Sequence, residues 1–581
     1  MRSRAFFPIR VLVGINVLTL GHCAADGFAW DSLETQKQLS FQPCYHGFQC
    51  SRLDLPLDWS TPDSSDRISL AVIKLPARVT ATDARYGGSI IVNPGGPGGS
   101  GVRHVLSNGR SIQQTVDADG ELRDGQDAAS TGRYFDIVSF DPRGVANTSP
   151  AMDCFPSNYA NAVWEAQMLG DGIMGSSDVA FDNNWARMQA LGKACSWSKS
   201  PIIPHMHTAA VCNDMRELIV RLEAERSDQG PETSVQRHHH QSQQPLTVVS
   251  KAKMQYWGQS YGTLLGMTFA TMFPDHIDRM VLDGVVDGQD YYAGDWARWL
   301  VDADAVMQSF FEYCSSRGPE KCAFYRGSKW QDIASSLRDL LDTIRTDPVV
   351  VEPLNSSGPD IITHGDVMRL IRVSTYYPEE KFDQMATLLN DVDVRNGSLF
   401  SRHKSDMDNL CVAEGDQFNV TWPCPRDFED HARLGVLCTD GPDFSNVTKA
   451  DFKEKAYALT ALTKWFAPTA ALMAMACPSW NARGVGKFQG HIGGNTSHPI
   501  LLVSPTLDPA TPLRHAHLTS RVFPGSVVLE QNSIGHCSTS VASDCTVSKI
   551  REYFQTGKLP ERGTICPPND KSFMARRISG T

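Results

Sequence analysis

Gly258-Gln259-Ser260-Tyr261-Gly262 is the one G-x-S-x-G run in the chain. A serine between such glycines can sit on a sharp strand-to-helix turn, where neighbouring Cβ atoms would collide, and present its hydroxyl as a nucleophile. Serine attacks only with a base beside it and an acid to orient that base, in chain order Ser, Asp, His for this turn. Asp508 follows the apolar run that starts at Leu501, in a proline-rich loop, and His536 lies in the loop after the next strand. The spacing assigns Ser260, Asp508 and His536 as nucleophile, orienting acid and general base. Asp283 and Asp287 are rival acids. His515 and His517 are rival bases, but their place at a helix start after Pro512 predicts surface positions.

Acyl transfer also needs donors for the oxyanion of its tetrahedral intermediate. The backbone N–H of Tyr261 is one. The glycine loop at 95–99 offers the other at Gly96, since Pro97 has no N–H. The same loop reads G-x-G-x-x-G from Gly96 to Gly101, the phosphate-binding pattern of dinucleotide enzymes. That fold needs an acid at the end of a second strand about 20 residues on. Residues 117–125 are polar and carry no strand signal. The chain also has no P-loop and no H-E-x-x-H motif, so neither of those nucleotide or metal signatures is present.

The elements that must hold these residues alternate. Strand patterns occur at Arg67–Leu75, Ser89–Val92, Phe135–Phe140, Met254–Trp257, Met280–Val286, Ile500–Ser504 and Ser526–Leu529. Helical spacing appears at Ala209–Leu222 and Tyr261–Met272. Such alternation predicts an α/β fold with a mostly parallel sheet flanked by helices. Residues 225–245, with His238, His239 and His240, read as a solvated loop insertion; no Cys or carboxylate pattern makes the triplet a metal site. Residues 291–494 are rich in helix signals, such as Trp330, Ile333, Leu337 and Leu341. The expected division is a signal peptide at 1–25, a first core segment at 26–290, a large mainly helical cap at 291–494, and a final core segment at 495–581 with the acid and base.

The chain has 581 residues, with 54 Lys and Arg against 65 Asp and Glu, for a net charge of −11. That balance argues against a nucleic-acid partner held through phosphates. Arg2, Arg4 and Arg10 precede or open the apolar run Val11–Leu20, and Cys23, Ala24 and Ala25 follow. This is the pattern of a secretory signal peptide, too short to span a bilayer. The expectation is a secreted protein, off the membrane once the leader is removed. Fifteen cysteines fit an oxidising compartment. Short spacings suggest the pairs Cys44/Cys50, Cys314/Cys322 and Cys537/Cys545. Six glycosylation sequons begin at Asn147, Asn355, Asn396, Asn419, Asn446 and Asn495.

N-P-G-G-P-G-G-S-G at 93–101, F-D-P-R-G at 140–144, Y-W-G-Q-S-Y-G-T at 256–263 and the stretch 272–287 resemble the α/β-hydrolase superfamily. More narrowly, they look like the secreted tripeptidyl-aminopeptidase-like branch of the proline-iminopeptidase clan. The resemblance runs from about Cys44 to Pro568. It implies the triad Ser260, Asp508 and His536, no cofactor, and a peptide substrate with a free amine held by cap carboxylates. Asp295, Asp302, Asp304 and Glu312 are candidates, although a solvated acidic face would look the same. Ala146 and Asn147 interrupt the family's usual D-P-R-G-x-G-x-S. A small-molecule ester or amide hydrolase and an inactive binding protein are the competing readings, and the complete triad opposes the second.

Overall fold

The computed structural model describes residues 28–119, 132–198, 200–228, 252–295, 297–352, 358–407 and 429–569. The leader, the histidine tract, Asn355 and Asn419 lie outside the described residues. Eight principal strands form the sheet: β1 (Phe48–Pro56), β2 (Arg67–Leu75), β3 (Tyr86–Asn93), β4 (Tyr134–Phe140), β5 (Met254–Gln259), β6 (Ile277–Asp283), β7 (Leu501–Leu507) and β8 (Val527–Ile534). Their spatial order is β1-β2-β4-β3-β5-β6-β7-β8. β2 runs antiparallel to both neighbours, and every later pair is parallel. Central strands buried on both faces should be continuously apolar. β4 is buried along all seven residues, and β6 and β7 end on buried Asp283 and near buried Asp508.

The strand boundaries depart from the sequence pattern at β6. It ends at Asp283 rather than Val286 because Gly284 turns the chain at φ +69° while its N–H still donates to Val503 O at 2.9 Å. β1 carried no clear alternation in the sequence, being buried on both faces over most of its length.

In chain order the helices are α1 (Gly101–Val116), α2 (Asn158–Asp171), α3 (Ala180–Trp197), α4 (Thr208–Asp228) and α5 (Tyr261–Met272). Then come α6 (Gly288–Ala293), α7 (Ala303–Arg317), α8 (Trp330–Thr346), α9 (His364–Tyr376), α10 (Pro378–Asp393) and α11 (Ser398–Met407). The last are α12 (Glu429–Asp440), α13 (Lys449–Leu462), α14 (Ala467–Ala470), α15 (Leu513–Val522) and α16 (Asp544–Thr556). α4 extends to Asp228, so the first residues of the segment read as a loop at 225–245 are helical. α7 to α11 bury an apolar core of their own, with Phe310, Phe324, Ile371, Phe382 and Leu389 almost fully enclosed.

α2 and α3, which the sequence pattern did not announce, join this helical layer. The Cys154–Cys195 disulfide ties them down. Gln189 Nε2 donates to Met475 O at 2.6 Å, and Lys449 pairs with Asp182 at 3.0 Å. The layer is therefore built from two chain segments, one on each side of Ser260. Among the described residues no helix is long and apolar enough to cross a membrane.

Candidate active site

Ser260 stands between β5 and α5 at φ 55°, ψ −125°. A non-glycine residue in such a region costs about 1–3 kcal/mol and persists only where its surroundings enforce it. They do so here by close approach. A Cβ on Gly258 would lie 2.4 Å from Gly262 O, and one on Gly95 (φ +92°) would lie 2.5 Å from Gln259 O and 2.9 Å from Ser260 Cβ. The glycine loop is thus pressed directly against the turn. The N–H of Tyr261, in the first turn of α5, is among the amides that a helix leaves without intrahelical partners. It lies 2.9 Å from that same Gly95 Cβ position.

Asp508 is fully buried just beyond β7. Its carboxylate accepts from Ala510 N (2.9 Å), Thr511 N (2.8 Å), Thr511 Oγ1 (2.8 Å) and Cys537 N (2.9 Å). His536 Nδ1 lies 2.9 and 3.1 Å from its two oxygens. Burial alone would raise the Asp508 pKa, but the facing imidazole and these hydrogen bonds hold it below the ordinary carboxylate value. The same pair acts in reverse on His536. Burial disfavours its cation, yet the Asp508 charge and hydrogen bond, with Asp283 behind, raise it above the ordinary histidine value.

The hydrogen bonds of the described residues join Asp508 to His536; they do not join Ser260 Oγ to the imidazole. The two loops meet through Asp283. Its carbonyl accepts Ser260 N–H at 3.0 Å and the Cys537 thiol at 3.4 Å. Gln259 Nε2 also reaches Thr539 Oγ1 at 3.2 Å.

The rival residues sit elsewhere in the network. The Asp283 carboxylate takes Ser538 N and Oγ, both at 2.7 Å, and burial pushes its pKa up to about 6. Asp287 caps α6 through Gln289 N and Asp290 N. His517 is exposed. His515 corrects the expectation of a surface residue: it is completely buried, and burial lowers its pKa to about 4. α15 turns this face inward onto α5, where Thr519 Oγ1 meets Met267 Sδ.

The cysteine pattern needs one correction. Cys44–Cys50 and Cys314–Cys322 are bonded, but Cys537 and Cys545 are not bonded to each other. Cys545 bridges to Cys566 at the sheet edge. Cys537 is a buried free thiol at φ +63°, which turns its Sγ toward the Asp283 carbonyl.

Of the four cap carboxylates, Asp295 is exposed and faces Lys455 at 3.5 Å. Asp304 accepts from Thr463 Oγ1, and Glu312 from Gln308 Nε2. Asp302 stands against the acid loop. Burial raises its carboxyl to about 6, with Arg514, the Asp508 charge and the Asp508 amide acting on it in turn. Asn396, Asn446 and Asn495 are exposed, whereas Asn147 Nδ2 donates to buried Asp141 at 2.8 Å.

Two groups beside the site had no local sequence signal. Tyr376, at the end of α9, contacts His536 directly. Asp440, at the end of α12, is buried, with its pKa pushed up by burial to about 6. It accepts from Thr208 N and Oγ1 and from Tyr291 OH, and Thr208 Oγ1 in turn lies 2.6 Å from Tyr261 OH.

Comparison with known proteins agrees with this architecture. Residues 88–323 match the alpha/beta hydrolase fold family, and residues 463–566 match the TAP-like protein family. The tripeptidyl aminopeptidase of Streptomyces lividans is 23% identical over 530 residues, covering 90% of this chain and 84% of its own. Serine protease Hip1 of Mycobacterium tuberculosis is 25% identical over 529 residues, covering 90% and 87%. Carboxylesterase B of Mycobacterium tuberculosis is 24% identical over 538 residues, covering 90% and 86%. The chain therefore carries an alpha/beta hydrolase fold domain followed by a TAP-like domain, and over nine-tenths of its length it is similar to tripeptidyl aminopeptidases and to serine protease Hip1.

Proposed function

We propose that the protein is a secreted serine peptidase that releases short fragments from the free N-terminus of peptides through an acyl-enzyme. The observation that carries this reading is the Asp508–His536 pair at 2.9 Å, beside the strained Ser260 turn. Ser260 Oγ attacks the scissile carbonyl carbon while His536 Nε2 takes its proton. Asp508 fixes Nδ1–H and stabilises the imidazolium. The amides of Tyr261 and Gly96 receive the oxyanion. His536 then gives its proton to the leaving amine, the C–N bond breaks, and the acyl group remains on Ser260. Water, deprotonated by the same imidazole, attacks the ester and restores the serine.

The helical layer supports cleavage near a terminus, because a covered site admits a chain end more readily than a chain middle. The α-ammonium would then need a carboxylate, since a buried unpaired charge is costly. The leader pattern and the five described disulfides support secretion. A small-molecule ester hydrolase is the second reading, and the similarity to a carboxylesterase favours it.

One experiment tests the core of the proposal. Ser260→Ala should lose several powers of ten in turnover and all labelling by a fluorophosphonate. Retained labelling would remove Ser260 as nucleophile. A panel of tripeptide, prolyl and single-residue amides beside short-chain esters separates the two substrate classes.

A further inference from the structure

A cavity of about 440 Å³ lies inside the helical layer, walled by α2, α3, α9, α12 and the segment around α14. That volume is in the range of small-ligand sites. Much of its wall is apolar: Met168, Ile173, Met188, Leu434, Leu472 and Met473. Three unbranched methionines let such a wall adapt to an elongated apolar guest.

The charged groups on the wall are unequal. Arg369, Arg372 and Arg433 stand against Glu165 and Asp366. Asp366 is already committed. It accepts Thr363 N at 2.8 Å and Thr363 Oγ1 at 2.7 Å as the capping box of α9, and it pairs with Arg369 at 2.6 Å. Lys404 lies a further 3.7 Å from it. Among the described residues, no carboxylate lies within ion-pair reach of Arg372. A guanidinium in that setting offers a planar, two-pronged donor that suits a carboxylate.

We propose that this cavity binds an apolar molecule ending in a carboxylate, with Arg372 holding the carboxylate and the methionine-lined wall holding the chain. Two sources share that chemistry: a free medium-chain fatty acid, and the C-terminus of a short apolar peptide.

Calorimetric titration of the full-length protein tests it, with four probes. These are decanoate, acetyl-Leu-Leu-Leu with a free carboxylate, the C-terminal amide of that peptide, and decylamine. Saturable binding of decanoate or of the free-acid peptide is expected, and which one binds identifies the source. Arg372→Gln should weaken it roughly tenfold or more, the loss of one charge-assisted contact. Leu472→Trp, which fills the cavity and leaves every charge in place, should abolish it. Each variant is scored only with its thermal midpoint matched to the wild type. Absence of binding by both carboxylates overturns the proposal. So does equal binding of the amide or decylamine, or undiminished binding in either variant.

Discussion

The backbone carbonyl of Tyr376 accepts the N–H of His536 at 2.9 Å, and the tyrosine ring meets the imidazole edge-on with centroids 4.8 Å apart. The neighbouring residue reinforces the contact: a Cβ on Gly535 would lie 2.7 Å from Pro378 Cδ, at the start of α10. The turn between α9 and α10 is therefore bolted to the loop that carries the proposed base. How the helical layer is seated decides where the imidazole points.

That contact predicts a catalytic cost without a binding cost. An edge-on aromatic pair contributes about 1 kcal/mol beyond the area it buries. Tyr376→Ala is expected to lower kcat roughly fivefold to tenfold with KM little changed. Tyr376→Phe, which keeps the ring, should restore the rate. Steady-state kinetics on a peptide amide distinguishes this from general destabilisation, which the phenylalanine variant and the thermal midpoint would expose.

The Asp508–His536 pair predicts the sign of a pH effect. In the proposed mechanism His536 acts as a neutral base, and its pKa is raised on balance: burial opposes the cation, but the Asp508 charge and hydrogen bond, with the Asp283 charge, outweigh it. Activity should fall on acidification with a midpoint above the ordinary value of about 6.5. Asp508→Asn removes the two raising contributions of Asp508 and leaves burial opposed only by the Asp283 charge. Its midpoint should move to lower pH, and kcat should drop by about four orders of magnitude, as for removal of the acid from other triads. A variant midpoint above that of the wild type would contradict the sign.

The readable parts of the site are those with local signatures. Ser260 is marked by glycines needed for close packing, and Asp508 and His536 by apolar strands that end just before them. Parallel sheets gather such strand ends on one edge, which is why residues 248 positions apart can be read together. Tyr376 and Asp440 carry no such mark, because each matters only through contacts across the fold. His515 misleads for the opposite reason. Its polarity suggests solvent, while the position of α15 against α5 encloses it. α3 escapes notice because its inward face is completed by residues near 475–480, far along the chain.

The corrected disulfide pattern predicts which cysteines react and when. Nearest spacing favoured Cys537 with Cys545, but the left-handed turn at Cys537 aims its sulfur at Asp283, away from α16. Burial also pushes the thiols of Cys212 and Cys537 well above the ordinary value, so both should be unreactive in the folded protein. Differential alkylation with peptide mapping checks this. Cys212 and Cys537 should label after unfolding without reductant, and Cys44, Cys154, Cys314, Cys438 and Cys545 only after reduction.

The amine requirement is the most demanding prediction, and the surroundings of Asp302 give it a pH window. Burial holds this carboxyl at about 6, and it stands beside the Asp508 loop rather than out in solvent. A peptide α-amine ionises near 7.7–8.0. Between roughly pH 6 and 8 the carboxylate is charged while the amine is still protonated, so an ion pair can form only there. Peptide turnover should therefore require a free amine, and acetylated peptides should not be cut. Asp302→Asn is expected to raise KM for free-amine peptides about tenfold, in line with losing one partly buried charged contact. Its rate of fluorophosphonate labelling at Ser260 should stay at the wild-type level, since that reagent carries no amine. If acetylated peptides or simple esters are cut as fast as free-amine peptides, the aminopeptidase reading fails and the ester-hydrolase reading replaces it. If free-amine peptides alone are cut but Asp302→Asn leaves KM unchanged, the amine is held by a different carboxylate, and Asp302 loses its assigned part.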